Sequence, residues 1–204
     1  MVDVKEYNRV INELGRNLIR DGIIKTGNKS KEQIKNEVKD YIQKNLATVD
    51  IEMSLDHKES LLRNAKKFRK EKDYYSSIVF YTLWIEHWLN QMILIALKRK
   101  KINEESYKAI LRTTNSKSKY TWLWELLEYP ALNKNHLKII EKLFEIRGSF
   151  VHYKWVSYKL KEGKKLIDQL KEIKSFTNSI DRTIIYLKNY EYRHIYKKYK
   201  KVFH

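Results

Sequence analysis

Arg147 and His152 are the residues of this chain whose types and spacing say most about chemistry. Arginine carries a permanent planar cation that binds phosphate oxygens, and histidine exchanges a proton near neutral pH. Together they can promote cleavage of RNA by its own 2′-hydroxyl, leaving a 2′,3′-cyclic phosphate and a 5′-hydroxyl. His152 would act as general base or acid, and Arg147 would stabilise charge on the phosphate oxygens. This chemistry requires no metal or other cofactor. The spacing alone also fits an arginine paired with Glu145 or solvent and an ordinary helix-end histidine.

Helix geometry limits how this pair can work. Five residues turn an α-helix by roughly 500°, so the two Cβ directions differ by about 140° and do not share one face. Either the helix loosens near Gly148, or another element or a second subunit completes the site. The second alternative predicts a homodimer with Arg147 and His152 near the interface.

Glu86 is the first residue expected to support the pair. It follows Trp84 and Ile85 in the most apolar segment of the chain, and a buried carboxylate is costly unless it is paired. We therefore predict that Glu86 lies within ion-pair or hydrogen-bond reach of Arg147 or His152. Asn90 is four residues further on and shares the face of Glu86. The alternative places Glu86 on a narrow solvated strip of the helix.

The pattern of the whole chain predicts helices. One proline and five glycines in 204 residues leave long stretches without a helix breaker. Apolar periodicity predicts helices over 2–21, 30–47, 55–72, 74–100 and 133–153, one or two shorter helices over 103–112 and 118–129, and a last helix that follows Gly163 and reaches about 198. Asp73 is the expected cap of the helix over 74–100. The expected fold is an all-α, up-and-down helical bundle over residues 54–204, preceded by an N-terminal two-helix extension over residues 1–53.

Other features of the sequence bear on location. Glu86, His87, Asn90 and Gln91 interrupt the apolar run of the fourth helix, which argues against a membrane span. The absence of cysteine fits a reducing compartment, and the first residues lack the apolar core of a signal peptide. The histidines lack metal-ligand spacing. We expect a cytoplasmic protein without a metal or cofactor.

The positive charge of the chain is large and uneven. The formal net charge is +18, of which residues 1–53 carry +1, residues 54–153 carry +8 and residues 154–204 carry +9. Such charge attracts polyanions, so RNA is the expected partner, although lysine-rich composition is the simpler alternative. Tyrosines alternate with basic residues near the C-terminus, a mixture suited to stacking bases and contacting phosphates, or to a solvated helix end. The candidate RNA-binding residues are Lys154, Arg193, Lys197, Lys198, Lys200 and Lys201.

The order of these features resembles a known family. A short helix containing 64–68 leads through Lys72-Asp73-Tyr74-Tyr75 into the long apolar helix with Trp84-Ile85-Glu86, and the R-x4-H motif follows two helices later. This arrangement, over roughly residues 55–200, resembles the HEPN superfamily (higher eukaryotes and prokaryotes nucleotide-binding). The resemblance implies a metal-independent endoribonuclease whose active sites form where two motif copies meet in a dimer. It also implies a toxin–antitoxin or antiviral setting, with an antitoxin as a possible partner protein.

The residues around the motif differ from the family pattern. The usual polar residue after the arginine is Gly148 here, and Ser149 supplies a polar side chain one residue later. Some toxin members carry a tyrosine two residues after the histidine, which a partner nucleotidyltransferase modifies. That position is Lys154 here, and the tyrosine is Tyr153. We take Arg147 and His152 as catalytic and Glu86, Asn90, Ser149 and Tyr153 as supporting residues. The alternative is a non-catalytic helical module that binds RNA or a protein, which Gly148 favours.

Overall fold

The computed structural model describes residues 4–45, 58–151 and 166–196. Within those ranges the residues form helices and turns, with no strand among them, which confirms the expected all-α class. The helices are α1 Val4–Arg20, α2 Lys31–Asn45, α3 Lys58–Lys70, α4 Tyr74–Arg99, α5 Glu104–Thr113, α6 Ser116–Tyr120, α7 Trp122–Leu126, α8 Lys134–Val151 and α9 Leu166–His194.

Helix α4 forms the centre of the bundle. Its side chains are apolar almost all round, so a helix of this kind must be covered by neighbours on most sides. Trp84, Ile85, Trp88 and Leu89 are accordingly buried. Asp73 caps the helix as predicted, since its side chain accepts a hydrogen bond from the Ser76 amide at 3.1 Å. None of the helices in the described ranges has the length and apolar character needed to cross a membrane.

The long helices alternate in direction. Helix α3 runs antiparallel to α4, because the Ser77 hydroxyl donates to the Ala65 carbonyl at 2.8 Å and Lys58 contacts Gln91 at the far end. Helix α9 runs antiparallel to α8, since its residues 176, 183 and 186 contact residues 142, 136 and 133 in turn. This alternation is the up-and-down arrangement that the sequence predicts.

Two acidic residues, one half-buried and one buried, attach α9 to α3 and α4. Asp181 accepts hydrogen bonds from Arg69 at 2.5 Å and from the Tyr81 hydroxyl at 2.8 Å. Glu191 is 4% exposed and accepts a hydrogen bond from the Trp88 indole at 3.2 Å. Because a buried carboxylate is stable only when it is paired, the contact of Glu191 with Trp88 and that of Asp181 with Arg69 and Tyr81 fix the position of α9.

The N-terminal helices pack against the same core. Gly22 and Gly27 both adopt positive φ, at 76° and 39°, in the turn between α1 and α2, a conformation that glycine adopts without strain. At the end of α4, Arg99 donates hydrogen bonds to the carbonyls of Ile19 and Arg20 at 3.3 and 2.9 Å. Buried isoleucines of α1, α2 and their turn join the main apolar cluster. The predicted domain boundary at residue 53 lies outside the described residues.

Candidate functional site

The structure brings Glu86 and Arg147 together. The Arg147 guanidinium lies 3.6 Å from the Glu86 carboxylate, and the two side chains are 33% and 25% exposed. This contact confirms the prediction made from the position of Glu86 in the apolar helix. The pair is thus held by the bundle and still open to solvent. Since a guanidinium has several N–H donors in a planar fork, the contact leaves donors free for another anion.

Packing between α4 and α8 sets this contact. One turn before Glu86 on α4, the Thr82 hydroxyl donates to the Ile78 carbonyl at 2.8 Å and lies 3.4 Å from the carbonyl of Leu143. Leu143 lies one turn before Arg147 on α8 and is completely buried. The two helices approach each other closely at this level. From there the long side chains of Glu86 and Arg147 reach each other.

Lys119 is a third charged residue near the pair, and sequence reasoning missed it. It is only 5% exposed, at the end of the short helix α6. Burial lowers the pKa of its ammonium group, and the nearby charge of Glu86 opposes that shift. Nothing in the sequence separates Lys119 from the exposed Lys117 two residues earlier. Glu86 thus lies near two cationic side chains, which makes this part of the bundle favourable for an anion.

Asn90 extends the polar face of α4 beyond Glu86. Its Oδ1 atom is buried and has no hydrogen-bond partner among the described residues. A buried polar group without a partner costs free energy, so the amide of Asn90 is a destabilising feature of α4 one turn beyond Glu86.

The other residues of the motif are not described at the side-chain level. The backbone of α8 stays helical through Gly148 and Ser149 to Val151, so no loosening of the helix is seen at Gly148. An added Cβ at Gly148 would meet no described atom within 4 Å, and the glycine is therefore not required by close packing there. His152, Tyr153 and Lys154 lie outside the described residues, and their placement stays a prediction.

The structure describes one of the proposed C-terminal RNA-binding residues, Arg193. Its side chain is exposed on the last turn of α9. Lys197, Lys198, Lys200 and Lys201 lie outside the described residues. Within the described ranges, no three side chains of histidine, cysteine, aspartate or glutamate are grouped as metal ligands.

Comparison with known proteins identifies no relative of this chain. No protein-family model, curated protein or solved structure matches it significantly. The resemblance to the HEPN superfamily therefore rests on the order of the helices and on the R-x4-H motif, and it stays a prediction.

Proposed function

We propose that this protein is a metal-independent endoribonuclease that cleaves RNA through attack of the 2′-hydroxyl on the adjacent phosphorus. The observation that carries the proposal is the pairing of Arg147 with Glu86. The arginine of the R-x4-H motif is oriented by a carboxylate from the central helix and keeps a third of its side chain exposed. Such a guanidinium can bind the non-bridging phosphate oxygens as negative charge develops on them in the transition state.

Each residue has a separate role in the proposed reaction. His152 takes the proton of the 2′-hydroxyl or gives one to the leaving 5′-oxygen. Arg147 binds the non-bridging oxygens, and Glu86 positions Arg147. Lys119 adds positive electrostatic potential from inside the bundle, and because it is buried it does not contact the RNA strand. The products are a 2′,3′-cyclic phosphate and a 5′-hydroxyl.

A second subunit completes the proposed site. Arg147 and His152 differ by about 140° around a regular helix, and the helix is regular at least to Val151. A regular helix continued through residue 152 would direct the two side chains apart, so we propose a homodimer that pairs two α8 helices and brings the arginine of one subunit near the histidine of the other. The absence of cysteine supports a cytoplasmic location for this dimer, and the resemblance of the motif supports a role in a toxin–antitoxin or antiviral system.

The test is an end-mapping assay. The purified protein is incubated with total RNA and with tRNA in the presence of a chelator, and the cut ends are identified. We expect 2′,3′-cyclic phosphate and 5′-hydroxyl ends, no cleavage of DNA, and loss of most activity in Arg147→Ala and His152→Ala. Arg112→Ala and His87→Ala replace exposed residues of the same types and serve as matched controls.

The same assay separates the proposal from its rival. Full activity in either motif variant would remove the assignment. A wild-type protein that binds RNA but leaves it intact would favour the non-catalytic binding module, which Gly148 in place of a polar residue already permits.

A further inference from the structure

A second candidate site lies at the opposite end of α8. An open groove of about 510 Å³ runs between one face of α9 and the segment that leads from Pro130 into α8. His136, at the start of α8, and Arg147 are 11 residues apart, which is about 16 Å along a helix axis. The groove is thus separate from the pair formed by Glu86 and Arg147.

Two pairs of packed rings, one stacked and one tilted, line the groove. The His136 ring lies flat against Tyr186, with ring centroids 4.2 Å apart and an angle of 11° between the planes. One turn further along α9, His194 packs against Tyr190 at 4.3 Å. The tyrosine hydroxyls are fixed as well, because Tyr190 donates to the Pro130 carbonyl at 2.5 Å and Tyr186 accepts from a backbone amide at 2.8 Å. These rings are held in place before any ligand arrives.

The rim of the groove is positively charged. Arg182, Asn189 and Arg193 are exposed along one face of α9 and line the groove. No aspartate or glutamate lines it, and no described carboxylate forms an ion pair with either arginine. The neighbouring acids Asp181 and Glu191 are occupied by Arg69 and Trp88 on the other side of the helix. Both guanidinium groups are therefore available to an external anion.

Ile185 adds an apolar contact between the two arginines. It is 59% exposed and lines the groove beside Tyr186. An exposed isoleucine flanked by arginines and rings offers a base an apolar surface and offers its phosphates two cations. Proteins that bind single strands combine these features.

We propose that this groove binds single-stranded RNA, with bases against the Ile185 and Tyr186 surface and phosphates on Arg182 and Arg193. The two arginines are 11 residues apart on α9, which is about 16 Å. One phosphate group cannot contact both at that distance, so they would bind different phosphates of a short stretch of RNA. Binding here does not depend on cleavage. The further role of the groove, to hold the substrate at a distance from the reacting bond, rests on the proposed function.

The test measures binding with a strand that cannot be cleaved. A fluorescent single-stranded RNA of about 12 nucleotides, within the usual site size for such proteins, carries a 2′-O-methyl group at every position, so the attacking hydroxyl is absent. Its affinity is measured by anisotropy across a range of salt concentrations. The double variant Arg182→Ala, Arg193→Ala is expected to bind about tenfold more weakly. Its salt slope should be smaller by about 1.4, because two phosphate contacts are lost.

Two further variants separate the groove from general charge. Arg63→Ala, Arg112→Ala removes the same charge from exposed sites outside the groove and is expected to keep the wild-type affinity within about twofold. Asn189→Asp places a carboxylate between the two groove arginines with little change of shape, and it should weaken binding while the melting temperature stays the same.

Each outcome decides the proposal. Wild-type affinity in the groove variant, or an equal loss in the control variant, would overturn it. Cleavage of unmodified RNA is measured separately, so a wild-type protein that binds the methylated strand through the groove and cuts nothing would refute the proposed function and leave the groove in place.

Discussion

Replacement of Glu86 by glutamine tests whether this residue positions Arg147. Glutamine keeps the size of the side chain and removes its charge. At 3.6 Å, the gross Coulomb attraction is about 4 to 5 kcal/mol at an effective dielectric constant of 20. Desolvation offsets much of it. Exposed ion pairs contribute up to about 1 kcal/mol, and breaking a fully buried pair costs about 3–5 kcal/mol.

The exposure of the pair places it between these limits. With side chains 25% and 33% exposed, we expect Glu86→Gln to lower the free energy of unfolding by about 1–2 kcal/mol. For a chain of this length that corresponds to a fall in melting temperature of about 2–8 °C. Glu105→Gln changes an exposed carboxylate in the first turn of α5 and should lower the melting temperature less, because it removes only a helix-dipole interaction of at most about 1 kcal/mol.

Activity decides between a positioning role and a purely structural one. If Glu86 acts through Arg147, Glu86→Gln should reduce the cleavage rate of the folded protein about tenfold, or about 1.4 kcal/mol. In the Arg147→Ala background it should cause no further loss, because the residue it positions is gone. Single-turnover rates for the four proteins of this cycle provide the measurement. Equal fractional losses in both backgrounds, or an unchanged melting temperature and rate in Glu86→Gln, would refute the reasoning.

Three other predictions concern assembly, charge and pH. Sedimentation should give twice the mass of one chain, and an active monomer would exclude the shared site. A variant that neutralises all four C-terminal lysines, Lys197, Lys198, Lys200 and Lys201, should bind RNA more weakly, with a salt slope smaller by up to about 2.8. A slope identical to that of the wild type would mean that these lysines form only a solvated face. Burial lowers the pKa of His136, and burial and then Arg193 lower the pKa of His194, so the folded state binds fewer protons than the unfolded state below about pH 6.5. The free energy of unfolding should fall as pH drops from about 6.5, and the decline should be smaller in His136→Phe, His194→Phe; an equal decline would contradict it.

The local features of the fold could be predicted from the sequence. The cap at Asp73, the apolar character of α4 and the turn at Gly22 depend on residues close together in the chain. The pairing of Glu86 could also be anticipated, since a carboxylate inside an apolar helix needs a cation. Arg147 was the expected partner of Glu86 because it belongs to the R-x4-H motif.

Other features required the tertiary structure. Lys119 and Lys117 lie on the same short helix with similar neighbours, yet only packing against α4 buries Lys119. The histidines of the groove came from two distant parts of the chain, and no spacing relates His136 to His194.

There is a physical reason why the sequence predicted some of these features and only the tertiary structure decided the others. Helix boundaries and apolar faces follow from backbone hydrogen bonding and side-chain periodicity, which act over a few residues. The rotation of each helix about its axis is set by how complete side chains fit against a neighbour. That rotation decided that Arg147 meets Glu86, that Lys119 is buried, and that α9 leaves Arg182 and Arg193 exposed beside stacked rings.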